Sequence, residues 1–531
     1  MTEPQTGRGG KQGAVGVAVA LIVLFVLGAR SGADSPTAAA EAANAATKPA
    51  TRSTAPPGTV ISWRWRTDPP VPYPTRTLAD LTGFDASATE TPVRLSKYGG
   101  WADRKVDGPT AGFFRARKVG QRWWMVDPDG HLFFNVGMNG MSPGNRSPQA
   151  AKTFPAKFGT AEAWRDRETA MLRELGFNST GAWSSDELLA GSPARLAYTP
   201  TWSFMSRYGK KRGGTYPEPG HTGYPNKCIF VFDPEFETFA NEYAKQVAAR
   251  KDDPWLLGHF TDNELPFPKD ALDRFLELPE SDPGHRAAVK WLEDRKGPAR
   301  TARAIRAVRD LAAHTKAAPP PPAVKPTPLI PRTPALTVQD RADFQGYVVD
   351  RYLSIVCGAI RKYDPNHMIL GPRFYGDERE SEPAFRAIGK HLDVIAVNLY
   401  HVWTPGEEIR QWEQWSGKPV ILTEWYAKGM DSGLSNISGA GWSVYTQEDR
   451  GKFYQNFTLG MLEAPACVGW HWFKYMDNDP TDPKAELSNT DSNKGIVRTN
   501  YEPYEPLVRQ MREVNRCVYP LTMYFDARAE E

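Results

Sequence analysis

The chain has 531 residues, enough for two or three domains or for one barrel that carries insertions. It is 40% hydrophobic and 24% charged, a globular balance that excludes fibrous and disordered classes. Lysine and arginine total 65 against 62 acidic residues, a net charge of +3, so no nucleic-acid or other strongly charged partner is expected.

In chain order, Arg8 and Lys11 precede sixteen apolar or small residues, "AVGVAVALIVLFVLGA", from Ala14 to Ala29. The run falls short of the ~20 residues of a spanning helix. Residues 1–33 therefore read as a signal peptide, with Ser31, Gly32 and Ala33 near the cleavage point; an uncleaved membrane anchor is the competing reading. Both readings export the body of the protein. Residues 34–58, rich in Ala, Thr and Pro, read as a linker. Residues 59–120 hold short strand-like pieces and read as a small β-rich segment. "RWWMVDPDGHLFFNV" predicts a hairpin, Trp123–Val126 and His131–Val136, around a "DPDG" turn, which makes Asp127 and Asp129 turn formers.

From there to residue 520, apolar strands alternate with helical stretches. Counting "HLFFNVG" as the first, there are eight: "FNSTGAW", "LAYTPTWSF", "WLLGHFTDNE", "HMILGPRF", "VIAVNLY", "PVILTEW" and "CVGWHWF" follow. The alternation predicts an α/β fold, a (β/α)₈ TIM barrel of parallel strands and crossover helices. Residues 269–337, basic helical sequence and then a proline run, read as an insertion after the fourth strand, and residues 521–531 as a C-terminal tail. Four cysteines (Cys228, Cys357, Cys467, Cys517) suit one or two disulfides outside the cell; without C-x-x-C spacing they argue against a zinc site.

Catalytic groups of such barrels lie at the C-terminal strand ends. Those ends carry Asn139, Trp183, the run Asp262-Asn263-Glu264, Arg373, the group Asn398, Tyr400 and His401, then Glu424 and Trp472. Glu264 and Glu424 are glutamates that end apolar strands, where an unpartnered carboxylate is costly. A buried salt bridge to Arg373 or Lys428 would explain one of them. Two, on strands four and seven, point to a pair of carboxylates flanking a glycosidic bond, one giving a proton and the other attacking the anomeric carbon. Serine hydrolysis has little support, because "GMDSG" misplaces its serine relative to G-x-S-x-G. No H-E-x-x-H motif occurs, so no metal or cofactor is expected; His259, His401 and His471 read as pocket hydrogen-bonders.

"TDNE" closing strand four and "ILTEW" closing strand seven resemble the acid/base and nucleophile signatures of glycoside hydrolase clan A. With "YGGW", "GFFRARKVGQRWWMVDPDGHLFFNVGMNG", "GHFTDNELPF" and "TEWYAKGMDSGL", the chain from about Tyr98 is most similar to β-agarase-type enzymes related to family 50. The resemblance implies a retaining glycosidase acting on a carbohydrate, a β-galactan or agarose-like glycan. Glu264 would be the acid/base and Glu424 the nucleophile. Asn263 would bond the sugar 2-hydroxyl, Tyr400 would orient the nucleophile and Trp472 would be the sugar platform. Asn139, Trp183, Arg373 and His401 complete the expected substrate-binding set. A barrel that binds glycan without cleaving it is the rival, and transglycosylation would use the same residues.

Overall fold

The computed structural model describes residues 55–65, 67–85, 93–144, 147–316, 333–400 and 402–529. The expected signal or anchor segment, most of the linker, the proline run at 317–332 and His401 lie outside them. Eight strands carry the architecture: β1 Asn135–Met138, β2 Ser179–Thr180, β3 Ala197–Tyr198, β4 Gly258–Phe260, β5 Met368–Gly371, β6 Ile395–Asn398, β7 Val420–Glu424 and β8 Cys467–Trp472. Each of them is buried at every position, as parallel strands covered by helices must be. Six form one parallel sheet in the order β6-β7-β8-β1-β2-β3. The other two, β4 and β5, pair in parallel with each other. Isolated parallel bridges join Tyr198 to Leu256, Thr201 to Phe260 and Phe374 to Val397. The result is the expected mixed α/β fold.

Side chains alternate between two cores, as a period of two requires. Met368 and Leu370 of β5, Ala396 of β6 and Ile421 of β7 share one cluster, while Ile369, Ile395, Val397, Val420 and Leu422 join the other. Met125 and Phe133 belong to the first cluster and come from a four-stranded antiparallel sheet (Trp101–Lys105, His131–Phe133, Arg122–Val126, Arg115–Val119). The predicted hairpin is present, but "HLFFNVG" is two elements. His131–Phe133 stays in the hairpin and Asn135–Met138 enters the parallel sheet.

From Ala55 onward the chain forms one compact unit. Residue 120 falls in the turn between the paired strands Arg115–Val119 and Arg122–Val126. Thr59–Trp63 pairs antiparallel with Trp442–Val444, a strand in the long connection after β7. The insertion after β4 holds helices Ala271–Glu277, Pro283–Lys296 and Pro298–Lys316. Asp273 in the first accepts two bonds from Arg341 (2.6 and 2.8 Å), a buried bidentate pair that pins it to helix Val338–Tyr363. Residues 521–529 are no tail: they continue helix Val518–Ala529, whose Leu521 and Phe525 are buried and whose Asp526 pairs with Arg122 at 2.7 Å. All four cysteines are buried free thiols, so the disulfide expectation is not met. No helix among the described residues is long and apolar enough to cross a membrane.

Candidate active site

A cavity of about 910 Å³ opens at the C-terminal strand ends and is lined by Trp183, Asn263, Glu264, Tyr400 and Glu424, five of the residues expected there. Glu424 ends β7 and is almost fully buried. Its Oε1 accepts from Arg373 Nη2 at 2.5 Å and its Oε2 from Tyr400 Oη at 2.5 Å. Burial pushes its carboxyl above the usual range; the Arg373 guanidinium opposes this, and the neighbouring Glu264 adds to it. Arg373 is thus the salt-bridge partner that sequence reading offered as an alternative explanation of a buried glutamate. It leaves Glu424 facing a cavity all the same.

Glu264 follows β4 and has a different setting. Its Oε1 accepts from Asn398 Nδ2 at 2.8 Å, and its Oε2 lies 3.4 Å from His221 Nδ1. Glu264 (φ 51°), Arg373 (φ 55°) and Trp183 (φ 66°) all have left-handed backbones, which cost side-chain-bearing residues free energy and cluster at functional sites. Asn263 Oδ1 accepts from Arg373 Nη1 at 2.9 Å, so Arg373 ties the ends of β4 and β7 together. Asp262, between strand and site, does structural work. It accepts from the backbone N–H groups of Met205 and Ser206 (2.8 and 3.2 Å) at the start of helix Phe204–Arg212, and from Tyr352 Oη at 2.7 Å.

Three expected ligands of the substrate are not on the cavity wall. Arg373 is buried behind Glu424 and Asn263. Asn139 is buried too, and donates to the Thr423 carbonyl at 2.7 Å. Trp472 is fully buried, donating to the Lys494 carbonyl at 3.1 Å and packing edge-on against Trp425. The cause is a register slip in β8, where Val420 pairs with Cys467 but Ile421 pairs with Gly469. The slip turns Trp470 and Trp472 to the core opposite Val468. Phe473, the next residue, lines the cavity instead.

Of the histidines, neither His259 nor His471 reaches the cavity. His259 and His367 flank Asp364 at 2.9 and 2.7 Å, a buried group whose spacing would suit a cation. Every ring nitrogen there has a protein partner, though: Trp202 Nε1 donates to His259 Nδ1, and His367 Nε2 meets the Asp253 carbonyl. His471 sits between Gly137 and Gly181, where a Cβ would come within 2.2 and 2.3 Å of its ring. Burial pushes its imidazole down to about 3, against ~6.5 in an unfolded chain. Between those values the unfolded state binds the proton and the folded state does not, so stability is lost as pH falls through that window. His471→Gln removes this term. In urea unfolding the stability gap between wild type and variant is expected to narrow from pH 7 to pH 4.5, by up to ~2.5 kcal/mol; parallel pH curves would refute it.

Sequence reading missed His221, Tyr375, Tyr426, Lys474 and Lys494, all of which line the cavity. His221 is carried in by the hairpin Tyr216–Glu218/His221–Gly223, whose turn contains Pro219 and Gly220. The Pro-Gly pair was the available signal. Its Nε2 lies 3.1 Å from Glu218 Oε2, and Gly220 donates to Glu486 at 2.8 Å, latching the hairpin across the cavity.

A parallel α/β scaffold presenting two carboxylates to one cavity at its strand ends has the form of a glycosidase site. The comparisons agree with the resemblance read from the motifs. β-Agarase B of Vibrio sp. (strain JT0107) is 26% identical over 528 residues, covering 84% of this chain and 52% of that protein. β-Agarase A of the same strain is 23% identical, covering 83% and 50%. The chain spans about half the length of these curated relatives. The crystal structure of BpGH50 superposes with a TM-score of 0.72 at 28% identity, covering 88% of this chain and 96% of that one. An exo-β-agarase superposes with a TM-score of 0.64 at 22% identity, covering 84% and 70%. No protein-family model matches the chain.

Proposed function

We propose that the chain is an exported glycoside hydrolase that cleaves a β-galactan or agarose-like glycan with retention of anomeric configuration, on a closed (β/α)₈ barrel. The bridges that join β3 to β4 and β5 to β6 support closure of the eight strands. The charged and apolar N-terminal stretch supports export, and the β-agarase relatives support the substrate class. One observation carries the mechanism. Two glutamates face one cavity, and their partners differ in kind. Glu424 receives a guanidinium and a phenol, donors that favour its ionised form. Glu264 receives one neutral amide, from Asn398, and no guanidinium among the described residues; the His221 ring lies 3.4 Å from its other oxygen.

Glu424 therefore attacks the anomeric carbon while Glu264 gives its proton to the departing glycosidic oxygen. The bond to that oxygen breaks as the glycosyl–Glu424 ester forms. Glu264, now a carboxylate, takes a proton from water, which attacks the same carbon and releases Glu424. Trp183, Tyr375, Tyr426 and Phe473 line the cavity, and Trp183, half exposed, is the ring best placed for a sugar to stack on. Proton NMR of agarose or galactan oligosaccharides during digestion tests the reading. The first-formed reducing end is expected to keep the configuration of the bond cleaved. Inversion, or no cleavage across a panel of algal and plant galactans, would overturn it.

A further inference from the structure

Among the described residues that line the cavity, two buried side-chain polar atoms have no hydrogen-bond partner, Asn478 Oδ1 and His221 Nδ1. The second lies 3.4 Å from Glu264 Oε2. The surroundings of Glu264 decide which of its oxygens carries the acid proton. Thr423 Oγ1 donates to Asn398 Oδ1 at 2.8 Å, which turns the Asn398 Nδ2 to Glu264, where it donates to Oε1 at 2.8 Å. A carboxylic acid accepts best through its carbonyl oxygen, so Oε1 is that oxygen and the proton belongs on Oε2.

The imidazole is set in the same way. Its Nε2 lies 3.1 Å from Glu218 Oε2, an acceptor, so Nε2 carries a hydrogen and the neutral ring turns the lone pair of Nδ1 to Glu264 Oε2. One proton between these two atoms gives a favourable contact wherever it sits, O–H···N or O⁻···H–N⁺. With none, two lone pairs oppose each other; with two, two hydrogens do. Glu264 pulls the imidazole above its ordinary value, burial opposes this, and Glu218 adds to it. The other titratable groups facing the pair are Tyr375 after β5, whose ring lies 6.5 Å from the imidazole, Glu486 after β8, which accepts from the Gly220 N–H, and Glu424 and Tyr400 within the cavity. The separation of 3.4 Å exceeds that of a made hydrogen bond, and catalytic contacts of this kind often tighten only when substrate is bound.

We propose that His221 is a positioning residue of the acid/base: held through Nε2 by Glu218, its Nδ1 shares one proton with Glu264 Oε2 and keeps that proton in place to higher pH than Glu264 could alone. From Nδ1 the proton passes to Oε2, which returns the ring to its neutral form, and from Oε2 to the glycosidic oxygen as the bond breaks. In the second step the attacking water restores it to Oε2. The proposal rests on Glu264 being the acid/base.

The test compares the full-length wild type with His221→Asn and Glu218→Gln. On a galactan or agarose oligosaccharide, the alkaline limb of kcat/KM is expected to fall by about one pH unit or more in His221→Asn. It is expected to fall by less in Glu218→Gln, whose amide still accepts from Nε2 but carries no charge. An aryl glycoside with an acidic phenol leaves without a proton, so on it both variants are expected to keep the wild-type pH dependence. The NMR titration of the His221 ring, the signal lost in His221→Asn, is expected to move down by about one unit in Glu264→Gln. An alkaline limb that His221→Asn leaves in place, or a loss of equal size at every pH, overturns the proposal. Cleavage by wild type with neither the limb nor the ring titration moved sinks the His221 proposal alone. A ring titration that follows Glu264→Gln with no cleavage of any substrate sinks the hydrolase reading and leaves the shared proton standing. Neither coupling nor cleavage overturns both.

Discussion

Glu424→Gln is expected to lower kcat by roughly 10⁴–10⁶-fold with little change in KM, because an attacking carboxylate acts only in the transition state. The amide keeps one acceptor oxygen, for Arg373, and turns its NH2 towards Tyr400, whose hydroxyl oxygen can accept in exchange. Losing one partner of a buried ion pair outright costs about 3–5 kcal/mol, so a melting curve must accompany the kinetics. Glu424→Gly separates chemistry from folding. Azide admitted to the space of the lost carboxylate attacks from the same face and forms a glycosyl azide of inverted configuration. Kinetics within ten-fold of wild type for a folded Glu424→Gln protein would remove Glu424 from the chemistry.

The second large effect belongs to Glu264. Its replacement by glutamine is expected to slow cleavage of natural glycan by roughly 10²–10⁴-fold, the usual worth of general acid catalysis. An aryl glycoside with an acidic phenol leaves without a proton, so its bond cleavage is expected to be nearly unaffected. Release of the glycosyl enzyme then becomes slow, because no base activates water, and a burst of phenol results. In Glu264→Gly azide attacks the glycosyl enzyme and gives a product of retained configuration, the opposite of the Glu424→Gly result. Equal loss on good and poor leaving groups would assign Glu264 a positioning role. The hydrogen bond from Asn398 is kept by glutamine, so the comparison isolates the proton.

Much of this was legible in the sequence. Apolar runs ending in Glu264 and Glu424 were enough to find both carboxylates, because a buried strand that stops at an acid is costly without a reason. Tyr400 and Trp183 followed from their positions at strand ends, and both line the cavity. Trp472 was expected to be the sugar platform from its place at the end of β8 and from the resemblance, but a one-residue slip in that strand turns it into the core. Asn139 and Arg373 were placed at the correct strand ends but one layer too far out; they position the ends of β4 and β7 from behind the cavity wall.

The sequence by itself determined the order of strands and helices and the two glutamates, since periodicity and strand-end chemistry are local properties of the chain, and its motifs carried the similarity to β-agarases. Only the tertiary structure decided which side chains share the cavity. His221 comes from a hairpin more than forty residues before Glu264, and Lys474 and Lys494 from the region after β8. Their roles depend on distances between segments remote in sequence and on how deeply each is buried.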